Sequence, residues 1–232
     1  MLLRGGGNTT IECIGNMGKD KLRKFAEIDT FANVLQLDAG KTMKGQWAAK
    51  HFGNEQPIVL ELACGKGEYT VNLAKRFPER NFIGIDYKGN RIWRGAKTAL
   101  EEDIHNVAFL RIQIETILDY FGEDEVSEIW ITFPDPQPQK SREKKRLTNP
   151  SFLTKYQEIL IPEGIMHLKT DNDGLFAYTQ EKLIELGLDI QAETSDLYHS
   201  DFVDGVLSIK TYYERKYLET AKNINYIKWS WH

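Results

Sequence analysis

The sequence predicts an α/β protein with a mostly parallel sheet of seven strands and helices on both faces. Two observations support this fold class. From Pro57 onward, short apolar runs alternate with stretches of helical period, which is the pattern of parallel strands joined by crossover helices. The last two predicted strands are separated only by a polar loop, so we expect the last strand to be antiparallel to its neighbour.

The predicted elements follow in regular order. PIVLELAC is an apolar run of the kind that is buried on both sides of a sheet. Asn149-Pro150-Ser151 begins a later helix, because asparagine caps helices and proline fits the first helical position. The predicted strands are residues 57–64, 81–86, 107–112, 125–133, 164–171, 188–197 and 207–217, and the predicted helices are residues 68–77, 89–103, 150–160 and 173–186.

Length and composition limit the class of protein. The chain has 232 residues, of which 41% are hydrophobic, which fits one globular α/β domain. It has no apolar run long enough for a membrane span, and its two cysteines predict neither disulfides nor a zinc site, so we expect a cytoplasmic protein without metal. We interpret residues 1–16 as a tag or extension, 17–56 as an N-terminal helical segment and 57–232 as the main domain. The sequence leaves open whether the protein is a monomer or a homodimer.

A glycine turn follows the first predicted strand. Gly65 and Gly67 lie where the backbone of a doubly wound sheet approaches its ligand, and Asp86 ends the next strand, where a carboxylate can accept hydrogen bonds from both ribose hydroxyls. A dinucleotide-binding turn would have a third glycine, whereas here Glu68 would repel a pyrophosphate. S-adenosylmethionine, which has no phosphate, therefore fits better than a nicotinamide cofactor, and Glu61 is well placed to help orient it.

A proline-rich loop with a basic end follows the fourth predicted strand. In FPDPQPQKSREKKRL, prolines restrict the backbone around Asp135, at the same sheet edge as the glycine turn. A run of charged residues usually indicates a solvent-exposed loop. Its position beside Asp135, in a chain of net charge −4, instead favours contact with a nucleic-acid backbone. The positive charges of the loop are Lys140, Arg142, Lys144, Lys145 and Arg146.

This loop also resembles a known family. FPDPQPQKSREKKRL is similar to the FPDPWPKKRHxKRRL segment of the bacterial tRNA (guanine-N7-)-methyltransferases, the TrmB family. QWAAKHFGNEQP, ELACGKGEYTVNLAKRFPERNFIGID, LKTDN and TYYE are similar to other segments of that family, so the resemblance extends over residues 46–214. The chain departs from the family at four positions: Ala63 replaces a glycine, Gln113 an aspartate, Gln137 a tryptophan and Gln139 a lysine.

The resemblance implies a Rossmann-like class I methyltransferase that uses S-adenosylmethionine to methylate N7 of a guanine in tRNA, at position 46 of the variable loop. It implies that Asp135 is the catalytic carboxylate and also contacts the cofactor, together with Glu61, Asp86, Gln113 and the glycine turn. The implied substrate contacts are Gln139, Lys140, Asp171, Thr211, Tyr212, Tyr213 and Glu214.

Three alternatives remain open at this stage. They are a methyltransferase acting on another RNA, a protein or a small molecule, a non-catalytic RNA-binding protein with a relict cofactor site, and a nicotinamide-dependent dehydrogenase. We interpret Cys64 as a small turn residue and His167 as a core residue. We expect the aromatic side chains of Tyr226, Trp229 and Trp231 to pack onto the sheet.

Overall fold

A single sheet of eight strands organises the computed structural model, which describes residues 20–203, 205–219 and 222–231. The strands are β1 (Val34–Gln36), β2 (Ile58–Leu62), β3 (Asn81–Ile85), β4 (Val107–Arg111), β5 (Val126–Thr132), β6 (Leu160–Thr170), β7 (Asp189–Thr194) and β8 (Asn225–Ser230). The α-helices are α1 (20–28), α2 (Leu37–Lys41), α3 (Glu68–Arg76), α4 (Gly89–Glu101), α5 (Pro150–Ile159), α6 (Asp173–Glu185) and α7 (Tyr212–Glu219). The shorter helical segments are a π-helix (Trp47–Phe52) and 3-10 helices at Ile114–Asp119, Lys140–Lys145 and Leu197–His199.

The order of the strands defines where a ligand can bind. Across the sheet the order is β1-β4-β3-β2-β5-β6-β8-β7, and only β8 runs antiparallel to its neighbours. The chain proceeds outward from β2 through β3 and β4, and then crosses back to place β5 on the other side of β2. Doubly wound sheets bind ligands at the carboxyl ends of the strands that flank such a reversal. The candidate site therefore lies at the ends of β2 and β5.

Helices cover both faces of the sheet, as the sequence predicts. On one face α3 and α4 contribute Tyr69 and Ile92 to a buried apolar cluster. On the other face α5, α6 and the π-helix contribute Tyr156, Leu183 and Trp47. All residues of the central strand β2 are buried, which matches its continuous apolar run. The predicted fold class, with its reversed last strand, is confirmed.

The strand predicted at residues 207–217 is wrong, because that segment contains helix α7. Thr211 and Glu214 form a reciprocal cap at its start. The Glu214 backbone N–H donates to the Thr211 hydroxyl at 3.2 Å, and the Thr211 N–H donates to the Glu214 carboxylate at 3.1 Å. Thr-x-x-Glu is the sequence signature of this cap. The local cap therefore prevailed over the strand propensity of the β-branched and aromatic residues around it.

Two further strands complete the sheet. The last strand is β8, in which Tyr226 and Trp229 are buried, and Trp231 follows half-buried, so the packing predicted for these aromatic residues is confirmed. Strand β1 comes from the segment predicted to be helical and pairs with β4, which raises the number of strands from seven to eight. The predicted domain boundary at residue 57 stays a prediction, and residues 1–16 lie outside the described residues. Among the helices that the structure describes, none is long and apolar enough to cross a bilayer.

Candidate active site at the carboxyl edge of the sheet

The glycine turn combines close packing with an open surface. Gly65 and Gly67 have φ of +56° and +69°, a region that suits glycine. A Cβ on Gly67 would lie 2.4 Å from Phe109, and a Cβ on Gly95 of α4 would lie 3.0 Å from the Gly67 Cα. Gly95 thus allows the close approach of helix and turn that a third glycine provides in dinucleotide sites. A Cβ on Gly65 would meet nothing nearer than 4.0 Å, so the turn is open toward a ligand there.

Asp86 ties the end of β3 to this turn. Its carboxylate accepts hydrogen bonds from the Gly65 N–H at 3.1 Å and from the Lys88 N–H at 2.8 Å, one on each oxygen. A carboxylate has about four acceptor positions, so each oxygen can accept one more bond. Two free acceptor positions beside an open glycine turn fit the vicinal hydroxyls of a ribose. The residues present therefore fit an adenosine-type cofactor.

Glu61 is buried at the point where the strand order reverses, and it is 2% exposed. Its carboxylate accepts hydrogen bonds from the Thr70 N–H and hydroxyl and from the Thr132 hydroxyl. Burial raises the pKa of Glu61 from 4.5 to about 7, although the hydrogen bonds from the two threonines oppose that shift. Glu61 therefore joins β2, α3 and the end of β5. Its direct contact with a cofactor stays a prediction.

Gln113 lies on the outer side of the same edge. It is exposed, follows β4 and stands just before the 3-10 helix Ile114–Asp119. Its carbonyl accepts hydrogen bonds from the N–H and the hydroxyl of Thr116. These bonds fix the backbone of Gln113 at the carboxyl end of β4, and the role of its side chain at the adenine stays a prediction.

The proline loop presents Asp135 to solvent at the end of β5. Phe133 and Gln137, on either side of it, have φ of +48° and +44°, values that non-glycine residues adopt only when their surroundings enforce them. The Phe133 N–H donates to the Lys169 carbonyl at 2.9 Å, which fixes the loop to β6. One Asp135 oxygen accepts from the Gln137 N–H at 3.1 Å. The loop thus holds an exposed carboxylate in a defined position.

The basic end of this loop keeps most of its charge unneutralised. Arg146 lies with its guanidinium 4.3 Å from the centre of the Tyr178 ring and donates to the Gln137 carbonyl at 3.3 Å, so it anchors the loop. The other four cations are exposed, and within the described residues none of them forms an ion pair: Lys140, Arg142, Lys144 and Lys145. Gln139 is exposed just before them.

Asp171, at the end of β6, is already engaged. Its carboxylate forms an ion pair with Lys222 at 2.9 Å, and its side chain is 18% exposed. It borders a polar cleft of about 670 Å³ together with Asn172, Asp173 and Ser195. Asp171 could reach a substrate only by exchanging or sharing its bond with Lys222, whereas Asp135 has no cationic partner among the described residues.

The Thr-Tyr-Tyr-Glu segment packs its glutamate into the protein interior. Glu214 is 0% exposed and forms a buried ion pair with Lys169 at 2.7 Å. It also accepts a hydrogen bond from the Tyr198 hydroxyl. In this structure, Glu214 therefore holds α7 against β6 and does not face solvent. The side chains of Tyr212 and Tyr213 lie outside the described part of the chain, and the substrate contacts implied for this segment stay predictions.

Sequence patterns did not identify Lys169 as a partner of this segment. Burial lowers the pKa of Lys169, and the charge of Glu214 opposes the shift. The Lys169 ammonium also donates to the carbonyls of Leu207 and Ile209, at 3.4 Å and 3.3 Å. One signal was present in the sequence, namely a lysine within an apolar strand, because a buried lysine needs a charged partner.

Two other reactive side chains have structural positions. Cys64 is buried in the turn, and burial raises the pKa of its thiol, which disfavours the nucleophilic thiolate. His167 is 6% exposed, stacks on Trp130 with ring centres 3.8 Å apart, and shares a hydrogen bond of 2.9 Å with the Tyr226 hydroxyl. Its other nitrogen lies 3.2 Å from Glu128. Both sequence interpretations are confirmed. Among the described residues, no group of three or more metal-binding side chains comes together.

Comparisons with known proteins find relatives over most of the chain. A family model described as a putative methyltransferase matches residues 55–226. The tRNA (guanine-N(7)-)-methyltransferase of Bacteroides thetaiotaomicron is 49% identical over 218 residues, which cover 91% of this chain and 86% of the relative. The enzyme of that name from Christiangramia forsetii is 52% identical over 217 residues, covering 90% of this chain and 97% of the relative.

Solved structures share the fold at low identity. The 16S rRNA methyltransferase KamB superposes with a TM-score of 0.58 at 14% identity, covering 75% of this chain and 87% of that one. An antibiotic-related methyltransferase gives a TM-score of 0.59 at 18% identity, covering 78% and 90%. At these identities the likeness shows the fold alone.

The doubly wound sheet and its glycine turn define a class I methyltransferase with S-adenosylmethionine as its cofactor. Within that class, the chain belongs to the tRNA (guanine-N(7)-)-methyltransferase family. The dehydrogenase alternative is thereby excluded.

The buried Lys169–Glu214 pair predicts a coupled effect on stability. Replacing Lys169 by Met should cost about 3–5 kcal/mol of unfolding free energy, because Glu214 then stays buried without a counter-charge. The double variant K169M/E214Q should recover most of that loss, since glutamine keeps the reciprocal cap with Thr211. Urea denaturation of the single and double variants measures the coupling. Additive effects of the two substitutions would contradict a direct interaction.

Glu61 predicts a pH dependence of stability. Its folded pKa is about 7, against 4.5 for the free side chain, so the folded state holds the proton more tightly than the unfolded state. Its contribution is thus full below about pH 4.5 and is lost as pH rises to 7, by up to about 3 kcal/mol. Denaturation curves from pH 4.5 to 7.5 should show a smaller decline in E61Q than in the wild type. The exposed carboxylate variant E115Q should behave like the wild type, and equal slopes in all three proteins would refute the prediction.

Proposed function

We propose that this chain methylates N7 of the guanine at position 46 in the variable loop of tRNA. Membership of the family gives the reaction, and the resemblance at the proline loop suggests the position. One observation carries the assignment to this site: an exposed carboxylate, Asp135, follows β5, which lies beside the strand that leads into the cofactor turn, and four unneutralised cations come next in the chain. Because its relatives are bacterial tRNA methyltransferases, we infer that the protein acts in the cytoplasm.

Methyl transfer to N7 of guanine requires the protein to align the two reactants, and it requires no base at N7. N7 of guanine has a free lone pair and carries no proton, so nothing has to be removed before it attacks. Bound S-adenosylmethionine supplies an electrophilic methyl group on its sulfonium centre. Holding the acceptor and the methyl group in line is catalysis by proximity and orientation, which can lower a barrier by about 7–11 kcal/mol.

The cofactor would be held by the edge formed by β2, β3 and β4. Asp86 has acceptor positions free for two ribose hydroxyls, and the open side of Gly65 leaves room for the ligand. Gln113 would offer an amide to the adenine. Glu61 fixes the start of α3, and so the position of the turn, through its bonds with Thr70.

We assign guanine recognition to Asp135. Guanine presents two adjacent donors, N1–H and N2–H, which a carboxylate can accept together and which adenine lacks. One oxygen of Asp135 accepts a bond from the Gln137 N–H, which holds the carboxylate in place, and each oxygen keeps an acceptor position for one of the two donors. Asp171 is a weaker candidate, because its carboxylate is paired with Lys222.

The unneutralised loop cations suit the tRNA backbone. Lys140, Arg142, Lys144 and Lys145 lie within one short helical segment directly after Asp135. Phosphate contacts of this kind position a nucleic acid and carry no sequence information, so base selection remains with the carboxylate. The target base has to leave its stacked position to reach Asp135. Gln139 and Lys140, next in the chain, are proposed to contact the nucleotides that flank it.

Position-resolved methylation tests this function. Unmodified tRNA is incubated with the protein and labelled cofactor, and aniline cleavage then locates 7-methylguanosine in the product. We expect one cleavage site, at position 46, and no label in a transcript with adenine at that position. A methyl group elsewhere in the tRNA, or label that resists aniline cleavage, would refute the proposal and favour a methyltransferase with another target.

The variant D135N tests guanine selection. The amide offers a donor toward the donors of guanine and loses two charge-assisted bonds, so turnover should fall by about 100-fold or more. Calorimetric affinity for S-adenosylmethionine should change little. The matched variant D171N should lose less activity, because Lys222 already occupies that carboxylate. Unaltered turnover in D135N would remove Asp135 from this role.

A further inference from the structure

Helix α4 carries a second group of cations at the same edge of the sheet. Lys88 stands at its N-cap, and Arg91 and Arg94 follow in its first turns. From Tyr87 to Leu100 the sequence has these residues and Lys97 but no aspartate or glutamate. In a chain of net charge −4, this helix therefore has a local excess of positive charge.

The two arginines are exposed and unneutralised. Arg91 and Arg94 are neighbours on one helix face, because residues three apart lie side by side. The opposite face of α4 is buried through Ile92 and Ala96. Across residues 20–203, 205–219 and 222–231, no carboxylate forms an ion pair with either guanidinium. Their charge is thus available to a ligand.

The nearest carboxylates of α1 do not neutralise this face, because other groups occupy them. Asp20 pairs with Arg23 and Lys24, each at 2.7 Å. Glu27 accepts the indole N–H of Trp93 at 2.6 Å and also pairs with Arg23. Asp20 thus forms its ion pairs within α1, and Glu27 docks α1 onto α4 through Trp93, so neither acid supplies a counter-charge to the arginines of α4.

The position of α4 places these cations on the other side of the cofactor turn from the proline loop. The Lys88 N–H donates to Asp86, so the helix begins directly at the proposed ribose-binding carboxylate. In the sheet, β3 lies on one side of β2 and leads into α4. On the other side of β2 lies β5, which leads into the proline loop. Unneutralised cations therefore flank the candidate active site on both sides.

We propose that Lys88, Arg91 and Arg94, here called the α4 patch, form a second phosphate-binding surface for tRNA. The inference rests on the proposed function and extends it, because it names residues outside the proline loop that grip the substrate. A folded RNA is an extended polyanion, so contacts on both sides of the reaction centre would fix its orientation and not only its attachment. The exposed face of α4 presents the guanidinium groups of Arg91 and Arg94. The centre of a protein–protein interface is usually apolar, so this charged face favours a polyanion as the occupant.

The test compares arginine variants in tRNA binding. R91A/R94A should bind unmodified tRNA about tenfold or more weakly at moderate salt, and the slope of log Kd against log salt should fall by about two, one for each lost phosphate contact. R91K/R94K should keep most of the affinity, because lysine retains the charge. KM for tRNA should rise in R91A/R94A, while calorimetric affinity for S-adenosylmethionine stays unchanged.

Lys50 supplies the control. It is exposed on the π-helix and has no ion pair among the described residues. The π-helix lies at the amino edge of the sheet, because the Trp47 N–H donates at 2.8 Å to Glu125, the residue before β5. K50A should bind tRNA like the wild type. If R91A/R94A matches the wild type in affinity and salt slope, or loses cofactor binding instead, the α4 patch is overturned. A wild-type protein that leaves tRNA unmethylated would refute the proposed function, a result distinct from both.

Discussion

The candidate site depends on the hydrogen bonds that converge on the carboxylate of Glu61. This buried group accepts from the first turn of α3 through Thr70 and from the end of β5 through Thr132, so it joins three elements where the strand order reverses. The glycine turn begins on one side of this junction and the proline loop on the other. If the junction loosened, the surface that binds cofactor and the carboxylate of Asp135 would move independently. Burial at this place raises the pKa of the Glu61 carboxyl, and the donors of the two threonines oppose that shift.

Charged side chains around the edge divide into those that hold the protein together and those left for a ligand. Lys169 and Glu214 neutralise each other in the interior, and Arg146 is committed to Tyr178. The exposed lysines of the proline loop and the arginines of α4 have no such partner among the described residues. Net charge alone would have suggested a poor nucleic-acid binder, yet the unneutralised positive charge is concentrated on both sides of the reaction centre.

Most of the fold follows from the sequence because its signals are local. The alternation of apolar runs with helical periods predicts the doubly wound sheet, and Asn149-Pro150 predicts the start of α5, where the asparagine side chain accepts from the Ser151 N–H at 3.1 Å. The glycine turn and Asp86 were also predictable, since each stands at the end of its strand. Helix α7 was not predicted, although its Thr-x-x-Glu cap was present, because the strand propensity around it gave the opposite signal.

The ion pairs that neutralise charged site residues could not be predicted, because they join distant parts of the chain. No sequence pattern near Glu214 indicates its buried ion pair with Lys169, and none near Asp171 indicates its ion pair with Lys222. A family motif predicts that a residue matters, but only the packed structure shows whether its side chain is exposed or buried. Of the motif residues Asp135 and Glu214, the first is exposed and the second is fully buried.

The position of β8 has a consequence for how the chain folds as it is synthesised. This strand is translated after β7 but lies between β6 and β7, and β7 pairs with no other strand in the described sheet. During synthesis, β7 and the exposed side of β6 thus wait without partners until β8 emerges from the ribosome. Unpaired strand edges invite association with other chains, so the nascent enzyme is most vulnerable to aggregation in this interval.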